Sequence, residues 1–369
     1  MRIGYDAKRL FHNTSGLGNY SRDLVRILAT SFSKNDYFLY NPKKATLNRW
    51  KPLANTFEKQ PKGIWRSFPA LWRQAPIVGQ LKKDSIDLYH GLSGELPKGL
   101  KTPSVVTVHD LIYYRYPKLY NPIDVFIHKR KVNHAVRVAT KVVAISEQTK
   151  ADLIQFTGIA ESKIKVIYQG CHPIFKTVLS EDEKDNIRKK YQLPKKFVLF
   201  VGTLEDRKNA LSIAKALKNT TRQMVFVGKV KAHGEKLKAF VKENKMQDRV
   251  VFIENVSVKE LAGVYQCATV FCYPSFFEGF GIPIIEALYS GVPVITTKGG
   301  CFSEAGGPNS IYVDPYDEKS IQDAVQTLFS ETSSERNKRI MKGKEYVQKF
   351  NDEVLAGQWN TLYKSIAHV

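Results

Sequence analysis

The chain has 369 residues, 43% of them hydrophobic, too many for one comfortable core and enough for two domains of ordinary size. A quarter of the residues are charged, and the most apolar stretch, Gly279 to Thr297, is interrupted by Pro283, Glu286 and Pro293, which excludes an apolar helical membrane span. The formal net charge of +22 is unevenly placed: residues 1–150 hold 26 Lys+Arg against 10 Asp+Glu, a surplus of 16, while residues 151–369 hold 31 against 25, a surplus of 6. Such a field attracts phosphates, anionic lipids or nucleic acid, and its plain alternative is a solubility surface.

Short apolar runs alternate with amphipathic stretches along the whole chain. In the first half the pattern predicts strands at Arg2–Asp6, Tyr37–Tyr40, Ile86–Tyr89, Ser104–Val108, Lys141–Ile145 and Ile164–Tyr168. Helices fit between them at Asn19–Ser31, Phe68–Lys83, Pro122–Ala139 and Glu147–Phe156, the last capped by Ser146. Met1 runs directly into the first strand, so no signal peptide is expected, and a cytoplasmic setting follows, with the cytoplasmic face of the inner membrane as a variant. The second half repeats the alternation at Phe197–Val201, Gln223–Val227, Val250–Ile253, Val270–Tyr273, Val292–Thr296 and Ser310–Val313, with a Ser257/Glu260 capping box opening a helix. Strands rich in Val, Ile and Phe between helices imply parallel sheets covered on both faces. The polar stretch Phe175–Lys196 reads as an interdomain linker with a leading helix. Cys171, Cys267, Cys272 and Cys301 form no CxxC pair and read as buried free thiols.

The strongest motif is Pro274-Ser275-Phe276-Phe277-Glu278-Gly279-Phe280-Gly281-Ile282-Pro283-Ile284-Ile285-Glu286. It follows an apolar strand and opens a helix. Gly279 and Gly281 allow close backbone approach, Pro283 suits a first helical turn, and free amides there favour an anion such as a diphosphate. Glu286, one turn into the helix, can accept both hydrogen bonds of a vicinal diol. In Phe200-Val201-Gly202-Thr203-Leu204-Glu205-Asp206-Arg207-Lys208, a strand ends in glycine and a basic pair follows, fit to neutralise a leaving diphosphate. Without their context, either motif reads as a turn with solvated charges.

With those residues in view, the sequence resembles family 4 of the retaining glycosyltransferases along nearly its whole length. The resemblance implies an α/β GT-B fold, two doubly wound Rossmann-like domains facing across a cleft, and a nucleotide-diphosphate sugar as substrate. It implies Glu286 on the ribose, Glu278 facing the donor sugar, amides at Gly279, Phe280, Gly281 and Ile282 near the phosphates, and the Arg207/Lys208 pair on the leaving group beside Gly202. Many members carry arginine after that glycine, where this chain has Thr203. Gly16 and Gly18 match the loop facing the diphosphate and acceptor. His109, at the end of Val106-Thr107-Val108, matches a histidine beside the donor sugar, with Asp110, Tyr113 and Arg115 as acceptor-side residues. Ser146 and Glu304 also match, with capping or loop structure as sufficient roles. Front-face attack, with the departing phosphate taking the acceptor's proton, is the implied chemistry.

The domain reading is residues 1–174 for the acceptor, 175–350 for the donor, and a C-terminal helix over 351–369 returning to the first domain. No D-x-D pair occurs, so a metal-independent reaction without cofactor is expected, charge being neutralised by Arg207, Lys208 and helix amides. GDP-mannose or a UDP-sugar is the expected donor, and a glycan or lipid-linked hydroxyl in cell-surface polysaccharide or lipopolysaccharide synthesis the expected acceptor. Ile64–Arg73 with Lys82-Lys83, and His128-Lys129-Arg130-Lys131, mix aromatics and cations that suit peripheral contact with an anionic membrane, at roughly 1 kcal/mol per basic residue, or simply a solvated face. The alternatives are a GT-B protein of other chemistry (epimerase or phosphorylase), a non-catalytic nucleotide-sugar binder, or a basic nucleic-acid-binding protein. The last finds no recognisable module, so no nucleic-acid partner is expected.

Overall fold

The computed structural model describes residues 1–45 and 49–367. The chain forms two compact units, Met1–Gly170 together with the chain from Phe350 onward, and Cys171–Lys349.

The first unit is built on β1 (Arg2–Asp6), β2 (Asp36–Tyr40), β3 (Thr56–Lys59), β4 (Leu88–Gly91), β5 (Ser104–Val108), β6 (Lys141–Ala144) and β7 (Ile164–Val166). They make one sheet in the order β3-β2-β1-β4-β5-β6-β7, with every pairing parallel. The order reverses between β1 and β4, the point where open α/β sheets leave a crevice at their carboxyl ends. Val, Tyr and Leu of the strands bury on both faces because helices cover both. One core takes Leu355, Trp359, Leu362 and Tyr363 from the last helix, Asp352–Ala367, against Leu24, Val25 and Leu28 of the Gly16–Ser31 helix.

The second unit repeats the plan with β8 (Phe197–Val201), β9 (Gln223–Val227), β10 (Val250–Ile253), β11 (Val270–Tyr273), β12 (Val294–Thr297) and β13 (Ile311–Val313). Their order is β10-β9-β8-β11-β12-β13, again all parallel, with the reversal between β8 and β11. The loops following those two strands carry the two sequence motifs of this half.

Differences from the sequence expectation have local causes. β3 was not anticipated: it is an edge strand whose residues are half-buried to exposed, so it carries no apolar alternation. The expected Phe68–Lys83 helix is two short helices, Pro69–Trp72 and Ile77–Lys83, because Pro76 supplies no N–H to carry the first into the second. Phe175–Lys196 is not a free linker. Phe175 is 2% exposed and packs edge-on against Tyr265, the Leu179 amide donates to Gln266 Oε1 at 3.0 Å, and Ser180 and Glu183 form a capping box on the Glu181–Tyr191 helix. The Ser146 cap and the Ser257/Glu260 capping box are present, and all four cysteines are buried and free. No helix among the described residues is long and apolar enough to cross a membrane.

Candidate functional site

In the second unit two loops are sewn together at the sheet's reversal point. Gly202 follows β8, and its φ of +151° is a conformation side chains rarely adopt. A Cβ there would lie 3.1 Å from Lys208 Cδ, so the lysine stem lies over the glycine. Asn209, at φ +55°, donates through Nδ2 to Pro274 O at 3.1 Å and to Pro315 O at 2.8 Å. The Phe276 amide and Ser275 Oγ both donate to Arg207 O, at 2.8 and 3.0 Å. Thr296 and Thr297 of β12 hold the second loop from its other side, donating to Tyr273 O and Ser275 O.

Glu278 is the centre of this arrangement. Its Oε1 accepts from Lys208 Nζ at 3.0 Å, Tyr273 OH at 2.8 Å and Ser275 Oγ at 3.0 Å, and its Oε2 lies 2.8 Å from Arg207 Nη1. Both carboxylate oxygens are thus engaged, Oε1 by three donors and Oε2 by the guanidinium. Burial by itself would raise its pKa, but Lys208 and Arg207 outweigh that and hold it at about 2. Glu278 therefore stays ionised and fixes two cations. The cations differ. Arg207 is committed to Phe277 O, to Glu278 and, through Nη2, to Glu205 at 2.9 Å. Lys208 also donates to Tyr273 OH at 2.5 Å, so two of its three N–H groups are engaged within the cluster.

Glu286 stands on the Ile282–Tyr289 helix, whose N-cap is Gly281 at φ +114°. A Cβ at Gly281 would meet Ile284 Cδ1 at 2.9 Å, which explains the glycine by backbone form and packing together. Tyr265 OH donates to Glu286 Oε2 at 3.0 Å and sets the carboxylate's orientation. Phe280 is a buried core residue, while Gly279 and Ile282 are half-buried and Thr203 follows Gly202 half-buried. Among the described residues no group of three or more His, Cys, Asp or Glu side chains could hold a metal ion.

The residues expected in the first half lie in the first unit. His109 follows β5. Its Nε2–H donates to Leu92 O at 2.9 Å, and its Nδ1 accepts from Gln169 Nε2 at 2.8 Å, an arrangement that selects one neutral tautomer. Tyr20 packs edge-on, with ring centroids 4.6 Å apart. Beneath it His90, wholly buried, is bonded to Thr107 Oγ1 at 2.8 Å and Tyr363 OH at 2.7 Å. Gly18 is a packing glycine, since a Cβ would fall 2.1 Å from Asn13 O, whereas Gly16 has open space around it. Asp110 Oδ1 accepts the Ile112 amide at 3.1 Å, Tyr113 stacks on His128 at 4.1 Å, and Arg115 is ion-paired to Asp152, which is 1% exposed. Arg115 thus anchors the Glu147–Thr157 helix.

Burial lowers the pKa of His90 to about 3, aided by His109, and that of His109 to about 4 against the raising effect of the Leu92 bond. Both rings stay neutral in the folded chain while their unfolded counterparts titrate near 6.5. Their contribution to stability is therefore complete above that value and is lost as pH falls from 6.5 toward 4. Between pH 7.5 and 5.5 each should cost about 1.4 kcal/mol of unfolding free energy. Urea unfolding at the two pH values checks this, and His109→Gln should remove about half of the difference. An equal pH effect in the variant would mean that the ring is not buried neutral.

Residues 183–346 match the family described as Glycosyl transferases group 1, and residues 14–173 match Glycosyltransferase Family 4. The chain belongs to the family 4 glycosyltransferases. This glycosyltransferase is 25% identical to the O-antigen chain mannosyltransferase B of Escherichia coli over 341 residues, 87% of this chain and 88% of that one. It is 31% identical to the O-antigen chain mannosyltransferase RfbU of Salmonella typhimurium over 229 residues, 60% of each chain. Among solved structures, Anabaena Alr3699/HepE in complex with UDP superposes with a TM-score of 0.77 at 17% identity, covering 99% of this chain and 100% of that one. The fold class is thus that of GT-B glycosyltransferases, two doubly wound parallel-sheet domains.

Several partners in the glycosyltransferase were not singled out from sequence. Tyr273, just before the Pro274–Glu286 motif, and Ser275, within it, were given no role and could have been suspected from their place at a strand's carboxyl end. Tyr265 and Gln169 carried no signal: the first is 21 positions from Glu286, the second 60 from His109, and only the packing of separate strand ends joins them.

Proposed function

We propose that this glycosyltransferase moves a sugar from a nucleotide-diphosphate sugar to a hydroxyl of a glycan or lipid-linked acceptor of the cell surface, with mannose from GDP-mannose as the first donor to test. The observation that carries the reading is the Lys208–Glu278–Arg207 cluster at the second sheet's reversal point: a carboxylate of the loop after β11 holding the two cations of the loop after β8, with one lysine donor to spare. That is what a leaving diphosphate requires. As the bond from the anomeric carbon to the phosphate oxygen breaks, negative charge grows on the diphosphate, and a cation already fixed in place needs no reorganisation. Glu286, oriented by Tyr265, is assigned to the ribose diol. The acceptor oxygen forms the new bond to the anomeric carbon, its proton passes to the departing diphosphate, and configuration is retained. The choice of mannose rests on the O-antigen chain mannosyltransferases among its relatives, and a UDP-sugar remains the second choice because the Anabaena protein of the same fold holds UDP.

The test is nucleotide-diphosphate release from GDP-, UDP-, ADP- and dTDP-sugars in the presence of EDTA, with Glu286→Ala alongside. Release from one donor is expected, falling about 100-fold in the variant through loss of a charge-assisted bidentate contact. Binding of no nucleotide or nucleotide sugar by calorimetry would refute the assignment. Release abolished by EDTA and restored by a divalent cation would refute metal independence.

A further inference from the structure

His109, at the end of β5, is held from the strand ends on both sides of it. Leu92, just past β4, accepts from its Nε2 at 2.9 Å. Thr149, on the helix that follows β6, donates to its carbonyl at 3.3 Å. Gln169, just past β7, donates to its Nδ1 at 2.8 Å. The first two holders belong to the body of the first unit. Leu92 is wholly buried, and the Thr149 amide is fixed by Ser146 Oγ at 3.0 Å. Tyr20, edge-on to the ring, is itself tied through its OH to Thr107 Oγ1 at 3.0 Å, and Thr107 to His90.

Gln169 differs from these. The chain leaves the first unit after Gly170 and returns to it at Phe350, so Gln169 is the last side chain before the crossing. The outgoing and returning segments are seated on each other. The Tyr168 ring packs edge-on against Phe350 at 5.3 Å, and a Cβ on Gly170 would lie 3.2 Å from Phe350 O. Gln169 stands between those two residues, is 5% exposed, and turns to His109.

The contact is chemically selective. Leu92 O can only accept, so Nε2 carries a hydrogen. A neutral ring then has a bare Nδ1, and an amide N–H satisfies it without bringing a charge. A carboxylate in the same place would instead draw a second proton into the pair. The neighbouring titratable groups do not supply that proton. Arg9 acts on the ring as a cation and opposes it, His90 stays neutral beneath, Tyr20 is held protonated by burial, and the Asp110 carboxylate accepts the Ile112 amide.

We propose that Gln169 is a positioning residue for the transfer: from the crossing segment it holds the His109 ring as the neutral tautomer protonated on Nε2, and so keeps positive charge away from the end of β5. The consequence for turnover rests on the transferase reading, in which the donor sugar lies beside His109. Positive charge then grows on the anomeric carbon as its bond to the phosphate oxygen breaks, and an imidazolium facing it would oppose the step.

Two variants of nearly unchanged side-chain size test this in the full chain. Gln169→Met removes the donor, and Gln169→Glu replaces it with an acceptor. Nitrogen–proton spectra with isotope-labelled histidine read the ring directly, the His109 signals being assigned by their absence from His109→Gln. Nε2 protonated and Nδ1 bare is expected in the parent chain from pH 9 to 6. In Gln169→Glu the Nδ1 signal should move toward the protonated position as pH falls through that range. Nucleotide-diphosphate release at saturating donor should fall about tenfold in Gln169→Met, the worth of one hydrogen bond, with donor affinity changed less than about threefold. In Gln169→Glu it should fall about 100-fold at pH 6, along a new ionisation limb that the parent and Gln169→Met lack. A His109 spectrum that is the same in all three proteins would overturn the proposal. So would altered spectra with unchanged turnover, or equal losses in both variants with no new limb, which would make Gln169 a packing residue. Nucleotide-sugar binding by the parent chain scores the transferase reading separately, since the spectra need no donor.

Discussion

Lys208→Ala is expected to lower the rate of nucleotide-diphosphate release about 10³-fold while changing the apparent affinity for the nucleotide sugar only several-fold. The size follows from removing one preorganised donor from the place where transition-state charge develops. The asymmetry follows from the geometry: Lys208 spends two donors on Tyr273 and Glu278, and the third can bond most strongly to an oxygen that gains charge as the bond breaks. Lys208→Arg should rescue little. The lysine stem lies over Gly202, where a Cβ would already be 3.1 Å from Cδ, and the guanidinium is planar and longer. Single-turnover kinetics beside equilibrium binding of the donor separates the two effects. A variant that loses binding and keeps its turnover at saturation would show that Lys208 holds the ground state only.

Glu278→Gln is expected to destabilise the chain by about 3 kcal/mol and to lower turnover about 100-fold, although the new side chain is isosteric. The carboxylate is only 13% exposed, and its loss leaves two adjacent cations with a neutral partner. The same number comes from titration. Glu278 is held at about 2 in the folded chain against about 4.3 unfolded, a difference of about 3 kcal/mol. Because the folded value is the lower one, this stabilisation is fully present above about pH 5 and disappears as pH falls from there toward 2. Glu278→Gln should accordingly flatten the acid limb of the stability profile, read by chemical unfolding at pH 6, 4.5 and 3.5. An unaltered acid limb would show that the charge cluster is not what holds the loop.

The elements of both sheets were legible because buried parallel strands announce themselves as Val, Ile and Phe runs, and because capping residues act within three or four positions. Ser146, Ser257 and Glu260 needed no tertiary information. Ile86–Tyr89 was placed two residues early, since β4 runs from Leu88 to Gly91. Asp87 spends its side chain on the Arg2 amide at 2.7 Å, and an apolar run does not record where its pairing begins. β3 stayed hidden because an edge strand with exposed side chains has no pattern to read.

The sequence by itself determined the class of fold, the glycine-punctuated turns after β8 and β11, and the residue types gathered there. Each of those depends on neighbours along the chain: backbone conformations open only to glycine, apolar periodicity, a proline in the first helical turn. What those residues do to one another was decided by the tertiary structure. Lys208 and Glu278 are 70 positions apart, Gln169 and His109 60, and Arg73 and Asp6 67. Parallel sheets with crossover helices bring the carboxyl ends of distant strands side by side, so partners, protonation and saturation of each charged group are set by strand order rather than by spacing. That is why Glu278 meets Arg207 and Lys208, two cations of a distant loop that its own stretch of sequence does not announce.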